Sequence, residues 1–403
     1  MLIEFKYRNF KSFRDETNFL MTSVKSFTEH SENNIIRLDK DFDLLKCAAI
    51  YGFNAGGKSN FISAMSHMTR IVHNSFSNSL KKEEDKPNHD FQFKLNKATE
   101  NADTMFEVSF LLLNTVYRYG FEINGHEIKK EWLYKKLERE NFLFIREKND
   151  FQINKTAFKE GLKYKDDVNQ NVLFLSHLAQ NNQKISRTIF SWFLNVNVLI
   201  GLTEQSYFQF TERLLKSDEQ FKTWISLALK YMEITNIEAG EENGKIVTYH
   251  NQYDENNLLV DSIPFIVNER ESHGTRKLIH LLGPIYDTIK NGRVLFVDEF
   301  DSRFHPNLSK KLIELFNKFN IRGAQLIFTG HDVSLLNKDL LRRDQIWFIN
   351  KDQFGVSELY SLSDFSAKTV RNTSAFDKKF LENKFGASDT IEISDKLMDL
   401  LYA

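Results

Sequence analysis

The stretch that decides the fold lies at residues 52–59, where the sequence reads Gly52-Phe53-Asn54-Ala55-Gly56-Gly57-Lys58-Ser59. It matches the phosphate-loop pattern, in which two glycines, a lysine and a serine or threonine occur at fixed spacing. Glycines let the backbone turn tightly, so that its N–H groups point at phosphate oxygens. In such a loop Lys58 reaches the β- and γ-phosphates, and Ser59 ligates Mg²⁺.

The sequence on both sides of this loop has the pattern that a phosphate site requires. Residues Leu44–Tyr51 read LLKCAAIY, a short apolar run that predicts a buried strand. From Ser59 to about Asn78 the apolar residues recur at spacings of three and four, which predicts a helix. A bound phosphate would therefore lie at the N-terminus of a helix, where backbone N–H groups favour anions.

A second predicted strand ends in acidic residues. Residues Val294–Asp301 read VLFVDEFD, four apolar residues followed by two acids. A buried strand that delivers Asp298 to its C-terminal end suits Mg²⁺ coordination. Glu299, the next residue, would activate the attacking water as a general base.

A third predicted strand, Gln325–Thr329, is followed by Gly330-His331-Asp332. In open α/β sheets the ligand lies outside the carboxyl ends of the strands, so the three strand ends would meet at one nucleotide. His331 is then a candidate for contacting the γ-phosphate or positioning water. An isolated histidine at a strand end is more often a surface residue, and the interpretation depends on this convergence.

Composition and charge exclude several classes of protein. The 403 residues carry 54 basic and 55 acidic side chains, a net charge of −1, which excludes a strongly basic DNA-coating protein. The single cysteine, Cys47, excludes a disulfide framework. We see neither a signal peptide nor a run of about 18 apolar residues, so we expect no membrane association and a cytoplasmic location.

Other segments have patterns of their own. Residues Leu2–Phe10 and Phe106–Ile145 alternate in polarity, and Asn124-Gly125 is a hairpin turn signal, which together predict an antiparallel sheet. Apolar residues recur at helical intervals between Asn171 and Met232, and Lys245–Val260 has the pattern of another hairpin.

One further motif precedes the acidic strand by about twenty residues. It reads Glu271-Ser272-His273-Gly274-Thr275-Arg276-Lys277 and leads into a helical run. By itself it indicates a helix start with Ser272 as N-cap. Its position between the phosphate loop and the acidic strand is also the order found in ABC-type ATPase heads.

With these motifs the chain resembles the ABC-type AAA-domain ATPases related to RecF, SMC and OLD-family heads. More narrowly, it resembles the phage-defence ATPases called AbiLi and RloA. The stretches that carry the resemblance are Asn9–Phe13 (NFKSF), GFNAGGKSNF, ESHGTRKL, VLFVDEFDSRFHP and IFTGHD. The middle of the chain, about 150 to 260, matches poorly.

The resemblance implies an α/β fold, a P-loop NTPase of the ABC-ATPase type with a mixed, largely parallel sheet, an antiparallel β subdomain and a helical insertion. Together with the residue patterns above, it predicts an N-terminal ATPase lobe at 1–150, a mainly helical insertion at 151–260, a C-terminal ATPase lobe at 261–360 and a tail at 361–403.

The resemblance also assigns roles to residues, with ATP and Mg²⁺ as the implied cofactors. Ser59 and Asp298 would hold Mg²⁺, Glu299 and His331 would be catalytic, and Asp301 would lie in the loop that links two sites. Ser272, Gly274 and Thr275 would contact a nucleotide held by a second subunit. The predicted nucleotide-binding residues are Lys11, Gly52, Asn54, Ala55, Gly56, Gly57, Lys58, Ser59 and Asn60. Gln92 is a candidate for the family's glutamine loop by position alone.

The function that follows is an ATP-hydrolysing switch that dimerises on ATP. The predicted assembly is a homodimer or a higher even-numbered homo-oligomer, and the predicted role is to regulate a separately encoded effector, a nuclease or toxin, in phage defence. Only about 70 residues follow His331, so a built-in nuclease is not expected.

The alternative is a RecF-like ATPase that binds DNA in repair or recombination. Basic and aromatic residues are interleaved in one stretch, where they could face DNA phosphates. They are Lys129, Lys130, Trp132, Tyr134, Lys135, Lys136 and Arg139. Four glutamates in the same stretch dilute this charge, as expected for an ordinary exposed face: Glu127, Glu131, Glu138 and Glu140.

Overall fold

The structure is a computed structural model, and it describes residues 1–38, 40–82, 89–200, 205–240, 244–365, 375–387 and residue 400. Eighteen strands are assigned in the described residues. They are β1 (Leu2–Arg8), β2 (Thr17–Leu20), β3 (Ile35–Ile36), β4 (Leu44–Leu45), β5 (Cys47–Gly52), β6 (Thr104–Leu112), β7 (Thr115–Asn124), β8 (Glu127–Lys136), β9 (Glu140–Glu147), β10 (Asp150–Ile153), β11 (Val196–Leu199), β12 (Ile234–Ala239), β13 (Ile246–Tyr253), β14 (Leu259–Ile266), β15 (Val294–Val297), β16 (Gln325–Thr329), β17 (Ile346–Lys351) and β18 (Ser357–Ser361).

Ten α-helices accompany these strands in the described part of the chain. They are α1 (Lys58–Ser79), α2 (Lys159–Leu162), α3 (Phe174–Gln180), α4 (Lys184–Leu194), α5 (Gln205–Ser217), α6 (Glu219–Leu229), α7 (Val267–Arg270), α8 (His273–Asn291), α9 (Pro306–Lys318) and α10 (Phe376–Leu381).

The central sheet has six strands in the order β11-β15-β16-β5-β17-β18. The first five run parallel, and β18 pairs with β17 in the antiparallel sense. Its middle strands are apolar and fully buried, as expected for a parallel sheet covered on both faces. Because parallel strands end at the same edge, the residues after β5, β15 and β16 lie side by side.

A second, seven-stranded sheet is antiparallel, in the order β10-β9-β8-β7-β6-β1-β2. The turn between β7 and β8 falls at Gly125, with φ of 56°, as the Asn124-Gly125 signal predicts. Two smaller sheets pair β3 with β4 and β12 with β13 and β14.

Helix α1 connects the two large sheets. Its apolar residues recur along one side, and the ring of Phe61 lies 5.1 Å from that of Phe19 in the antiparallel sheet. The same ring lies 6.2 Å from Phe296 of the central sheet. Aromatic pairs at these distances add packing energy of about 0.5–1.5 kcal/mol each. The helix that follows the phosphate loop is therefore held rigidly between the sheets.

The structure confirms the α/β fold with a mixed sheet, the antiparallel sheet and the helix after residue 58. The segment 151–260 contains helices α2–α6, but it also supplies β11, which pairs in register with β15 at the edge of the central sheet. The hairpin predicted at Lys245–Val260 is longer, since β13 and β14 extend from Ile246 to Ile266. Within the predicted tail, 366–374, 388–399 and 401–403 lie outside the described residues.

Candidate functional site

The phosphate-loop motif forms a tight turn between β5 and α1. Ala55 has φ of 65° and Gly57 has φ of 123°, a conformation that L-residues rarely adopt. A Cβ atom on Gly57 would lie 2.5 Å from Oγ of Ser357 and 3.0 Å from Oγ of Ser12. Glycine is therefore required at residue 57 both for the backbone angle and for the close approach of two serines.

The N-terminus of α1 is open to an anion. Gly57 is the N-cap, with no side chain to accept from the first N–H groups, and the first turn contains no acidic residue. Those N–H groups point toward the loop and carry the positive end of the helix dipole. Ser59 is exposed in this first turn, and Asn60 donates to Oγ of Ser12 at 2.8 Å.

Lys58 lies buried within the loop. Its ammonium donates to the carbonyl oxygens of Gly52 (2.7 Å) and Phe53 (3.1 Å). Burial lowers the pKa of Lys58, while nearby carboxylates act to raise it. Those carboxylates belong to Asp298, Glu299 and Asp301. The phosphate loop and the acidic strand end are therefore within electrostatic reach of each other.

The acidic strand end is held by Thr329, the last residue of β16. Its hydroxyl donates to Oδ1 of Asp298 at 2.7 Å and accepts from the backbone N–H of Glu299 at 2.8 Å. Asp298 is buried, and Glu299 has a left-handed backbone with φ of 50°. A non-glycine residue in this region is uncommon and is found where the surrounding structure fixes it.

Asp301 joins the acidic loop to the strand that carries His331. Its carboxylate accepts from the backbone N–H of His331 at 2.8 Å and from that of Asp332 at 2.5 Å. Burial and the charge of Lys58 lower the pKa of His331, against the opposite effect of Asp301, Glu299 and Asp298. This lowering favours the neutral form of His331, whose ring can both donate and accept a hydrogen bond.

The Ser272 motif starts a different element. Ser272 caps α8, accepting from the backbone N–H of Thr275 at 3.1 Å, and it is exposed. Gly274 lies against the loop after β15, since a Cβ there would be 2.9 Å from the carbonyl of Arg303. The motif therefore presents a hydroxyl and a glycine backbone to solvent.

Lys277, one turn into α8, fastens this helix to the acidic loop. Its ammonium donates to the carbonyl oxygens of Glu299 (2.6 Å), Phe300 (3.2 Å) and Ser302 (2.8 Å), and to Oγ of Ser302 (2.6 Å). Charge-assisted hydrogen bonds of this kind are stronger than neutral ones. The helix that carries Ser272 and the loop that carries Glu299 are thus bound to one another.

Two cavities border these motifs. One, of about 180 Å³, is lined by Gly52, Phe53, Asn54 and His331, and by residues of the C-terminal segment. The other is a groove of about 890 Å³ between α6, α8 and α9, and Ser272, Gly274 and Thr275 line it. Among the described residues, the two cavities share no lining residue.

Lys11 lies beside α1. Its ammonium donates to Oγ of Ser63 at 2.7 Å, and its backbone N–H donates to the carbonyl of Phe91 at 2.6 Å. Gln92, the next residue, is buried. Lys11 therefore contacts α1 at Ser63, one turn after Asn60. Gln92 directly follows Phe91, the residue to which the backbone of Lys11 is hydrogen-bonded.

The residues at the strand ends suit Mg²⁺. Ser59 and Asp298 offer the hard oxygen atoms that Mg²⁺ prefers, and this ion is usually held by one or two protein groups together with substrate phosphates. Within the described residues there is no group of three or more His, Cys, Asp or Glu side chains that could hold a metal by themselves. The open N-terminus of α1 beside Asp298 fits an ion that is bound together with a phosphate.

Four residues near the motifs were not predicted from the sequence. Thr329 and Lys277 hold the acidic loop, and the hydroxyl of Ser357 donates to the carbonyl of Gly56 at 2.6 Å. Burial of Tyr207 of α5, and to a smaller extent the charge of Asp298, raise the pKa of its phenol. Only Thr329, which immediately precedes Gly330-His331, had a signal in the sequence, because it ends a strand at the predicted edge.

Comparison with known proteins gives structural and family matches. The head of an SMC protein, solved with the C-winged helix domain of ScpA, is 12% identical with a TM-score of 0.41, covering 89% of this chain and 97% of that one. The SMC head domain from Thermotoga maritima is 13% identical with a TM-score of 0.38, covering 89% and 98%. No curated protein matches the chain. Among the described residues, no helix is long and apolar enough to cross a membrane.

A family model matches residues 47–337, which is well over half of the chain and includes the phosphate loop, the Ser272 motif, the acidic strand and His331. This match confirms the predicted AAA-domain resemblance and supports an ATP-binding ATPase. The chain belongs to the family described as "AAA domain, putative AbiEii toxin, Type IV TA system".

Proposed function

We propose that the chain binds and hydrolyses ATP at the carboxyl edge of its central sheet. The observation that carries the proposal is that three neighbouring parallel strands end at this edge, where Thr329 donates to Asp298 at 2.7 Å and Asp301 accepts from the backbone N–H of His331 at 2.8 Å. Backbone N–H groups of the loop would hold the phosphates, with Lys58 as the counter-charge. The phosphate-binding residues would be Gly52, Asn54, Ala55, Gly56, Gly57, Lys58, Ser59 and Asn60.

The remaining groups fit the steps of hydrolysis. Ser59 and Asp298 would hold Mg²⁺, which would neutralise charge on the phosphates. The carboxylate of Glu299 would take a proton from the attacking water, with its backbone fixed by Thr329 and Lys277. The neutral ring of His331 would donate to the γ-phosphate or orient the water.

We further propose that two copies share their sites. Ser272, Gly274 and Thr275 line a groove separate from the cavity of the phosphate loop, and a second copy would bring both to one nucleotide. ATP would then close the dimer through contacts with both copies, and hydrolysis would open it. Asp301, which bonds the His331 segment, lies in the loop fastened to the Ser272 helix.

The biological role we propose is the control of a separate effector in phage defence. The family description names a toxin of a type IV toxin–antitoxin system, and the motifs resemble defence ATPases. For the DNA-binding alternative, the charge of the basic stretch is partly offset by ion pairs. Lys129 pairs with Glu127, and Lys130 pairs with Glu147 at 3.7 Å.

The first experiment traps the dimer. Glu299→Gln should retain ATP but slow hydrolysis at least a hundredfold, so that a dimer accumulates with ATP and Mg²⁺ in light scattering. The wild-type protein should return to monomer as ATP is consumed. Rapid turnover by Glu299→Gln would exclude Glu299 as the base.

The second experiment mixes two inactive variants, Lys58→Ala and Ser272→Arg. Each alone lacks one half of every shared site, whereas a mixed dimer contains one intact site, so ATPase activity should reappear on mixing. Ser262→Arg, at an exposed serine of β14, is the matched control and should remain active alone. Mixing without recovery would contradict the shared-site proposal.

A further inference from the structure

The groove between α6, α8 and α9 has apolar walls and a positive charge. Arg303 and Lys311 are the charged residues among those that line it, and no carboxylate lines it in the described part of the chain. Lys311 is paired with Glu314, but α9 as a whole carries three lysines and one glutamate. Leu227, on the rim, is 68% exposed. The groove therefore suits an apolar segment that carries negative charge.

Residues 388–403 of this chain have that chemistry. Their sequence, SDTIEISDKLMDLLYA, contains four acids and one lysine, and Leu397, Leu400 and Leu401 recur at helical spacing. Leu400 is described, and it is 71% exposed, so it is not in the groove of its own copy. An apolar side chain this exposed gains free energy wherever a groove covers it.

The residue that precedes this segment, Ala387, lies at the phosphate loop. Ala387 lines the same cavity as Gly52, Phe53 and His331. It is fixed there because Phe385 stacks on Phe348 of β17, with ring centroids 5.0 Å apart. The segment thus leaves the described structure beside the nucleotide site, whereas Ser272 and Gly274 line the groove.

We propose that residues 388–403 of one copy bind in the groove of the second copy. This inference rests on the proposed shared sites, which place the phosphate loop of one copy against Ser272 of the other. Ala387 of one copy then lies next to the groove of its partner, and sixteen residues span at most roughly 55 Å when extended, ample for the groove. The segment would strengthen the closed dimer by filling the groove beside the Ser272 motif.

Disulfide trapping in the full-length chain tests this docking. Both variants carry Glu299→Gln to keep the dimer closed; one also carries Leu227→Cys and the other Leu400→Cys. After mixing with ATP and Mg²⁺ and mild oxidation, a covalent dimer should form, and it should disappear without ATP. The native Cys47 is buried and does not interfere. Leu113→Cys, at a leucine that is 81% exposed, replaces Leu227→Cys as the control and should give no covalent dimer.

Charge reversal gives an independent measurement. Lys311→Glu should weaken the ATP-dependent dimer of Glu299→Gln about fivefold or more, and Asp395→Lys with Asp399→Lys should restore it. A closed dimer by light scattering without the Leu227–Leu400 cross-link would overturn the docking and leave the proposed function intact. A third variant carries both cysteines, and a cross-link within its single chain but none between chains would overturn the docking as well. The absence of any ATP-dependent dimer would contradict both the shared-site proposal and the docking proposal.

Discussion

Each large sheet contains a group of buried charged side chains, and the two groups differ in what their charged atoms bind. In the antiparallel sheet the side chains of Glu131 and Arg146 are fully buried, and Oε2 of Glu131 lies 3.7 Å from a guanidinium nitrogen of Arg146. Glu131 accepts from Tyr119 and from two backbone N–H groups of α3. Arg146 donates to three backbone carbonyls, which belong to Lys148, Asn169 and Val172. These contacts fasten a loop and a helix to the sheet.

At the edge of the central sheet the charges are arranged around an open loop instead. Lys58 bonds to the carbonyls of its own loop, and Asp298 to Thr329, while Ser59 and His331 are exposed beside them. The difference shows that burial of a charge does not by itself mark a functional site. Charges at parallel strand ends, next to an uncapped helix N-terminus, can also meet a ligand.

The largest effect on stability should come from the buried pair of the antiparallel sheet, Glu131 and Arg146, which has no part in the proposed reaction. Glu131→Ala leaves the Arg146 charge buried and unpaired, so the free energy of unfolding should fall by about 3–5 kcal/mol in urea denaturation. Glu140→Ala, which removes a more exposed partner of Arg118, should cost under about 1 kcal/mol. ATP affinity of the folded Glu131→Ala protein should be unchanged. A loss of affinity would make Glu131 part of the site.

Lys58→Ala should have the largest effect on the ligand. Removing the ammonium leaves the phosphates without their counter-charge, so ATP affinity should fall at least about a hundredfold, or about 2.8 kcal/mol, in calorimetry. Stability should change little, because Lys58 bonds to carbonyls of its own loop. Lys136→Ala, at an exposed lysine of β8, is the control and should bind ATP normally. Unaltered ATP affinity in Lys58→Ala would contradict an ATP site at the carboxyl edge of the central sheet.

Lys277→Met should have a smaller effect, on catalysis rather than binding. The variant keeps most of the side-chain volume but loses the hydrogen bonds to the loop of Glu299, so kcat should fall about tenfold with KM nearly unchanged. Lys277→Arg should recover part of the rate. Lys318→Met, at an exposed lysine of α9, should retain full activity. A rise in KM alone would contradict a role in positioning Glu299.

The smallest expected effect is a pH dependence that belongs to the antiparallel side. Burial and the neighbouring His126 lower the pKa of His89 from 6.5 to about 4. Between pH 6.5 and 4 the unfolded chain therefore binds a proton that the folded chain does not, and stability falls as the pH is lowered. His89→Gln should make this loss less steep in urea titrations at pH 6.5, 5.5 and 4.5. Parallel curves for both proteins would contradict the assignment.

The sequence predicts the parts of the site that follow strand ends. Gly52–Ser59, Asp298 and His331 all come directly after apolar runs, and parallel strands bring such residues to one edge. Lys277 and Ser357 could not be predicted, because their partners are fixed by tertiary packing across 22 and 301 positions of the chain. Strand β11 could not be predicted from the sequence for another reason. Its four residues lie among helices, and so short an apolar run does not distinguish strand from helix.

The order of strands in the central sheet has a consequence for synthesis and folding. Strand β5, which leads into the phosphate loop, lies between β16 and β17, so its two neighbours are made almost 300 residues later. Contacts this distant in sequence slow folding, because a long loop must close before they form. During most of its synthesis the growing chain therefore contains the phosphate loop without the two strands that flank β5 in the folded sheet. We expect a ribosome-bound chain that stops before β16 to retain no nucleotide, so that competence for ATP arises late and all at once.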